Sequence, residues 1–210
     1  MRYLEMVAHL MRRAGVGMRR EELERYSERK YEDIVEEVIN PEQFPEVDDD
    51  LLFRYWIEIN NRDQSVPFNS RWVYRMINTD RHLQEKIALF WHHIFATGGG
   101  KAEHGPSIVA QIEMFRRNGL GKVRDILGDL ARDPAMLYFL DNNENHKDEP
   151  NENWGRELLE LFSMGVGNYT EDDIKMASKA FTGWTYHQII PLDPYGRYPA
   201  EFRYVDEDHD

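Results

Sequence analysis

The amino-acid sequence predicts a mainly α-helical protein: an irregular multi-helix domain that ends in a small β-hairpin. Three observations carry this prediction. Apolar residues recur at helical spacing through most of the chain, as they do on the buried face of a helix. Glycines, prolines and capping residues separate these segments from one another. Near the C-terminus the pattern changes to two short runs that are typical of strands.

The first predicted helices occupy the N-terminal part of the chain. The first of them carries Leu4, Val7 and Leu10 on one face, and a Gly-Val-Gly turn ends it. The third stops at an Asn-Pro pair, because the residue before a proline disfavours helical backbone. In chain order we expect these helices over residues 3–14, 20–29, 31–39, 48–60 and 70–78.

The longest predicted helix runs from residue 79 or 80 to residue 96, where three glycines follow. One apolar face runs along its whole length. That face consists of Leu83, Ile87, Phe90, Trp91, Ile94 and Phe95. Helices over 107–117 and 122–131 come next, and Asp133 before Pro134 predicts an N-cap for a helix that ends near residue 140.

The last predicted elements surround a segment that we call the signature segment, residues 150–170. Its helix carries a core stripe formed by Trp154, Leu158, Leu161 and Phe162, and it stops at Gly165. Thr170 and Asp173 then form a variant capping box for one more helix. Two strands over 185–190 and 201–205 complete the order of elements.

We therefore divide the chain into a helical domain, residues 1–184, and a β-hairpin, residues 185–210. Two strands cannot make a stable sheet alone. We expect the hairpin to begin a further C-terminal part, so that this chain is the front part of a longer protein.

Charge and composition narrow the classes of partner. The 210 residues include 26 Lys and Arg against 39 Asp and Glu, which gives a net charge of −13. Such a balance argues against nucleic-acid binding, because a DNA-binding face must displace phosphate counterions. The absence of cysteine excludes Cys-based zinc sites, so any metal needs His and carboxylate ligands. No apolar run reaches the length of a membrane span, and no signal peptide is evident, so we expect a cytoplasmic location.

Several motifs, in order, resemble the bacterial family called domain of unknown function 1800. They cover almost the whole chain: residues 9–17 (HLMRRAGVG), 90–97 (FWHHIFAT), 132–136 (RDPAM), the signature segment (PNENWGRELLELFSMGVGNYT), 180–184 (AFTGW) and the terminal strand with His209 and Asp210. The resemblance implies membership but no reaction. Members of the family are often exported from the cell. The resemblance also implies a protein partner from a second family, domain of unknown function 1501.

The sequence departs from that family at one position of the tryptophan–histidine helix. Many members have a second histidine where this chain has Ile94, and the additional histidine here is His93. This departure argues against a paired-histidine metal site.

His92 is the first candidate for a functional side chain. On the helix over 79–96 it lies opposite the apolar stripe, on the same side as Glu85, with Ala88 and Ala96 beside it. One interpretation is an ordinary histidine on a solvated face. The other is that the small alanines admit another polar element, so that His92 acts as a metal ligand or general base.

The signature segment supplies the second set of candidates. Asn151, Asn153, Arg156 and Glu157 form a predicted polar binding site around the signature helix, with Asn153 and Glu157 at the border of the core stripe and Arg156 on the far side. Glu157 must be paired, protonated or bound to metal if it is buried. Alternatively, Arg156 forms a surface ladder of ion pairs with its helical neighbours. The asparagines would then fix the preceding loop through hydrogen bonds.

The sequence is compatible with two functions. The first is a helical scaffold or binding module with a polar pocket around the signature helix. The second is a metal-dependent hydrolase or oxidoreductase in which His92 and Glu157 are catalytic candidates. Zn, Mn or Fe would then bind His92, Glu157, His209 and Asp210, with His104 as an additional candidate.

Overall fold

The computed structural model describes residues 2–48, 50, 65–98, 100–102, 104–188 and 199–210. These residues form helices and one two-stranded antiparallel sheet near the C-terminus, which confirms the predicted fold class. The chain divides into two compact units, Met1–Phe90 and Trp91–Asp210. The division at residue 184 stays a prediction.

The first unit contains four helices and the beginning of a fifth among its described residues. Their bounds are α1 Arg2–Ala14, α2 Arg20–Tyr26, α3 Tyr31–Ile39, a short 3-10 turn Pro41–Gln43, α4 Ser65–Asn78 and α5 His82–Ile94, whose last residues belong to the second unit. The helix predicted over 48–60 lies, except for its first residues, outside the described part of the chain.

Three completely enclosed side chains form the centre of this unit: Val7, Met11 and Ile34. Val7 and Met11 are four residues apart on α1, so both lie on its buried face. Partly buried apolar side chains surround them. These are Tyr3, Leu10, Met18, Leu23, Tyr26, Tyr31 and Val38.

The second unit continues with shorter helices. Their bounds are α6 Gly105–Asn118, α7 Val123–Leu130, α8 Pro134–Phe139, a 3-10 turn Asn142–Glu144, α9 Asn153–Glu157, a π-helix Leu158–Ser163 that continues α9, and α10 Glu171–Ala180. Both predicted caps are confirmed. The Asp133 carboxylate accepts a hydrogen bond from Met136 N at 2.9 Å, and Thr170 and Asp173 form the capping box of α10.

The C-terminal hairpin pairs β1 Trp184–His187 with β2 Glu201–Tyr204. The register places Trp184 opposite Tyr204 and His187 opposite Glu201. A short 3-10 turn, Asp206–Asp208, follows β2. No helix among the described residues is long and apolar enough to cross a bilayer.

A chain of aromatic contacts runs through the core of the second unit. Phe95 contacts the rings of both Phe115 and Phe162, and Phe162 contacts Trp154. The contacts continue from Trp154 to Phe181 and then to β1. These ring contacts connect the signature segment to the hairpin. Each aromatic pair contributes about 0.5–1.5 kcal/mol beyond the area it buries, so the contacts also stabilise this connection.

Of the two interpretations of the His92 side of α5, the solvated face does not agree with the burial of its neighbours. Glu85 and Ala88 are buried there, whereas Phe90 and Ile94 of the predicted apolar face are 49% and 40% exposed. The physical reason is a specific pairing. The indole nitrogen of Trp72 donates a hydrogen bond to the Glu85 carboxylate at 3.0 Å, and a buried polar group is tolerated when it is bonded in this way.

The predicted core stripe of the signature helix is wrong at one position, since Leu161 is 65% exposed. After Glu157 the backbone follows π-helical rather than α-helical bonding, and Met164 N donates to Leu159 O at 2.9 Å. A wider turn rotates the side chains that follow it, so Leu161 leaves the buried face while Phe162 still packs against Trp154 and Phe95. Trp154 is buried as predicted.

Candidate functional site

Two buried asparagines organise the loop that precedes the signature segment. Asn142 is 1% exposed, and its amide group donates to the carbonyl oxygens of Phe181 at 3.2 Å and Trp184 at 2.9 Å. These two carbonyls lie at the end of α10 and the start of β1. Asn142 therefore joins the loop to the point where helix gives way to strand.

Asn145 is equally buried and makes more hydrogen bonds. Its amide nitrogen donates to Asn142 Oδ1 at 3.1 Å and to the carbonyl of Ser178 at 2.8 Å. Its side-chain oxygen accepts a hydrogen bond from Asn151 N at 2.9 Å. Since Ser178 belongs to α10, Asn145 connects the loop, the signature segment and that helix.

The predicted binding residues Asn151 and Asn153 lie at the start of α9. Asn151 Oδ1 accepts from Asn153 N at 2.9 Å, a turn that asparagine commonly makes before a helix. Asn153 Nδ2 lies 3.4 Å from the carboxylate of Asp141, which also accepts from Lys101 Nζ at 2.7 Å. Their hydrogen bonds fit the interpretation in which these asparagines fix the loop.

Arg156 and Glu157 are neighbours with different surroundings. The Arg156 guanidinium pairs with Glu152 at 3.1 Å and with Glu171 of α10 at 2.9 Å, and these hydrogen bonds, chiefly the one to Glu171, raise its pKa. Glu157 is half-buried, and its carboxylate forms neither a hydrogen bond nor an ion pair with any residue that the structure describes. Arg156 thus clamps α9 to α10, whereas Glu157 has no comparable structural role.

The predicted metal ligands His209 and Asp210 contact the segment around Thr182. His209 Nδ1 donates to the Thr182 carbonyl at 2.9 Å, and Asp210 N donates to Thr182 Oγ1 at 2.9 Å. The carboxylate of Asp210 accepts from Lys179 Nζ at 2.6 Å, and this hydrogen bond lowers its pKa. Gly183 beside them has a φ of +72°, and a Cβ there would lie only 2.5 Å from Val205 O. The end of the chain is therefore packed closely against the turn after α10.

A second contact holds the terminal turn to the asparagine-rich loop. His146 Nδ1 lies 2.5 Å from Asp208 Oδ2, and Lys147 N donates to the Asp208 carbonyl at 3.2 Å. The hydrogen bond to Asp208 raises the pKa of His146, and the same bond lowers the pKa of Asp208. Both shifts favour the charged forms of the pair, and a hydrogen bond between charged groups is stronger than one between neutral groups.

Burial lowers the pKa of both His92 and His104. Each imidazole is therefore neutral at pH 7, the form that binds metals or accepts a proton. Nδ1 of His104 lies 2.8 Å from Ser107 Oγ, and that hydroxyl also accepts from Ala200 N at 3.1 Å. His93, in contrast, is exposed.

The predicted metal set does not form a cluster. Within the described residues, no group of three or more His, Asp and Glu side chains could hold a metal ion. His92, Glu157, His209 and Asp210 are all described, so the structure does not bring three of them together as ligands. The catalytic roles of His92 and Glu157, and the polar pocket around the signature helix, stay predictions.

Sequence reasoning did not single out Asn142, Asn145 or Thr182, although all three are buried and hydrogen-bonded. The available signal was the density of asparagine and aspartate in the loop, which predicts capping and turn bonds. That signal does not identify partners such as Ser178, which lies 33 positions from Asn145.

The π-helix and the turn after it present an apolar surface. Leu161, Met164 and Val166 are 65%, 49% and 75% exposed. We call these three side chains the π-helix patch. Tyr169 lies in the same turn region and donates a hydrogen bond to Glu160 at 2.7 Å, which joins the turn to the π-helix. The signature segment thus combines internally bonded polar side chains with exposed apolar ones.

Comparison with known proteins identifies the family and nothing closer. No curated protein and no solved structure matches this chain. The family model described as "Protein of unknown function (DUF1800)" matches residues 9–210, which include every candidate site residue discussed above. The chain therefore belongs to the DUF1800 family of proteins of unknown function.

Proposed function

We propose that this chain is a helical scaffold and binding module that docks another protein through its signature segment. The π-helix patch carries the proposal, because Leu161, Met164 and Val166 are large apolar side chains that remain exposed. Grouped apolar side chains on a surface are typical of protein contacts. Helical turns of the π type are rare and occur frequently at functional sites.

The polar side chains of the segment support this surface. Asn151 and Asn153 fix the start of α9, and Arg156 clamps α9 to α10. These bonds hold the backbone from which the patch projects. A preorganised surface loses less conformational entropy on binding, so affinity improves without additional contacts.

Charge indicates the chemistry of the partner. Residues 151–180 contain six acidic and three basic side chains, and Glu157 at the border of the apolar stripe forms no ion pair with any described residue. We propose a protein partner whose contact surface is apolar at its centre and basic at its rim. The resemblance described above suggests a protein of the domain of unknown function 1501 family.

Isothermal titration calorimetry of the two purified proteins tests this proposal. We expect measurable association, and we expect Leu161→Ser combined with Val166→Ser to weaken it about tenfold or more. Burying one leucine contributes roughly 1.5–3 kcal/mol, and about 1.4 kcal/mol corresponds to a factor of ten in affinity. Both side chains are exposed, so the fold should be retained.

Met176→Ser is the matched control, because Met176 is 64% exposed but lies on α10 outside the patch. Its affinity should equal that of the wild type. If the wild-type proteins do not associate, the proposed partner family is wrong. If the patch variant and the control bind the partner with equal affinity, the π-helix patch is not the contact surface.

A further inference from the structure

The first unit contains a cavity that belongs to no site described so far. Its volume is about 1020 Å³, at the upper end of the roughly 300–1,000 Å³ that is usual for ligand pockets. Lining residues between 16 and 29, a range that includes α2, form one wall, and lining residues between 76 and 82, from the end of α4 to the start of α5, form another. None of its described lining residues belongs to the signature segment.

Part of this lining is apolar and open to solvent. Val16 and Ile77 are 53% and 69% exposed, and both line the cavity together with Phe44, Met18 and Met76. Exposed apolar side chains that converge on a cavity favour a ligand with an apolar body. Methionine adapts its shape to different apolar partners, so the cavity is suited to more than one aliphatic or aromatic side chain.

Two of the arginines in the lining already have partners. The Arg19 guanidinium pairs with Glu22 at 2.8 Å. Arg29 pairs with Glu37, which also accepts a hydrogen bond from Tyr26 Oη at 2.6 Å. These internal pairs neutralise most of the charge of the wall and hold its side chains in place.

Arg25 and Asp80 differ from those pairs. Both line the cavity, and neither side chain forms a hydrogen bond or ion pair with any residue in the described part of the chain. Arg25 lies on α2, whereas Asp80 lies in the turn between α4 and α5, so they come from different walls. The cavity thus offers one cation and one anion beside an apolar surface.

We propose that this cavity binds a small zwitterion with an apolar body, such as an apolar dipeptide. The ligand carboxylate pairs with Arg25, its ammonium group pairs with Asp80, and its side chains cover Val16 and Ile77. A guanidinium binds a carboxylate through two parallel hydrogen bonds, which suits a peptide C-terminus. This inference is independent of the docking function proposed for the signature segment.

The test is calorimetric titration of the 210-residue chain with leucyl-leucine. We expect saturable binding by the wild type, and about tenfold weaker binding by Arg25→Gln and by Asp80→Asn, because each loses one charge-assisted interaction. Acetylation of the ligand amino group should weaken binding to the wild type. The acetylated ligand should bind Asp80→Asn as well as it binds the wild type.

Arg20→Gln provides the matched control, since Arg20 is also on α2 but pairs with Glu24 and does not line the cavity. Its affinity for leucyl-leucine should be unchanged. The inference is overturned if the wild type does not bind leucyl-leucine, or if Arg25→Gln and Asp80→Asn bind as tightly as the control. Equal binding of the free and acetylated ligands would also overturn it, because Asp80 would then not recognise the ammonium group.

Discussion

A buried asparagine stabilises a fold when each of its polar atoms has a partner, and Asn145 meets this condition. Its amide nitrogen and oxygen are both bonded, to groups in the loop, the signature segment and α10. An alanine at this position would remove the bonds to Asn142 Oδ1 and Asn151 N, while the Ser178 carbonyl would keep the hydrogen bond from Phe181 N. The hydrogen bonds of one residue therefore support three segments at once.

We expect Asn145→Ala to lower the free energy of unfolding by about 2–4 kcal/mol, since each orphaned buried group costs roughly 1–3 kcal/mol. Urea denaturation measures the change. Asp148→Ala in the same loop is the control, because Asp148 is exposed and has no partner among the described residues. A loss for Asn145→Ala no larger than that of the control would contradict the structural role.

Glu157 leads to the opposite expectation. Its carboxylate is half-buried and has no hydrogen-bond partner in the part of the chain that the structure describes. Glu157→Ala should therefore change the free energy of unfolding by less than about 0.5 kcal/mol. A loss of about 1–3 kcal/mol in the same urea experiment would show that the carboxylate has buried partners after all.

Asp133 is a buried acid whose pKa burial raises to about 7, although hydrogen bonds from Met136 N and Gln111 act in the opposite direction. Above pH 4 the unfolded carboxyl loses its proton, while the native carboxyl keeps it until about pH 7. The native state then binds more protons. Stability therefore falls as the pH rises through this interval, by up to about 1.4 kcal/mol per pH unit.

We expect Asp133→Asn to remove this contribution, because asparagine remains neutral and caps a helix as well as aspartate does. The variant should be more stable than the wild type at about pH 8, and the difference should shrink towards pH 4. Urea unfolding of both proteins across this pH range measures the difference in their free energies of unfolding. A difference that does not depend on pH would contradict the raised pKa of Asp133.

At the scale of the element, α9 and α10 approach each other closely at one glycine. A Cβ on Gly155 would lie 2.7 Å from Ser178 Oγ and 3.0 Å from Ser178 N. Both distances are too short for a carbon atom, and the second contact is with backbone that cannot move aside. The approach of the two helices thus depends on the absence of a side chain at this position.

Gly155→Ala should destabilise the protein by about 1–3 kcal/mol through overpacking. Gly128→Ala on α7 is the matched control, since the nearest atom to a Cβ there is the flexible end of Arg132 at 3.9 Å. Alanine should be neutral there or stabilise the helix by up to about 1 kcal/mol. Thermal unfolding of both variants distinguishes the two cases, and equal midpoints would contradict the close contact.

At the scale of the whole molecule, the net charge of −13 makes the folded chain repel itself. Raising NaCl from about 20 mM to about 200 mM shortens the screening length to below about 10 Å, so the repulsion weakens. We expect the Tm to rise over this range. A falling Tm would show that attractive ion pairs such as Arg156–Glu171 outweigh the net repulsion.

Local features could be predicted because their causes lie within a few residues of each other. The third helix has the predicted bounds, Tyr31–Ile39. Asp133 caps Met136 three positions later, and Thr170 forms a capping box with Asp173. Of the candidate site, the loop-fixing interpretation of Asn151 and Asn153 agrees with their hydrogen bonds, which are also local.

The sequence by itself determined where the helices and the hairpin form, since periodicity, caps and turn residues act over short distances. Only the tertiary structure decided which faces are buried. The hydrogen bond from Trp72 allows Glu85 to be buried, and the π-helical turn exposes Leu161. It also decided that Asn142 binds carbonyls about 40 positions away. Such partners depend on how the whole chain closes on itself, which no local pattern encodes.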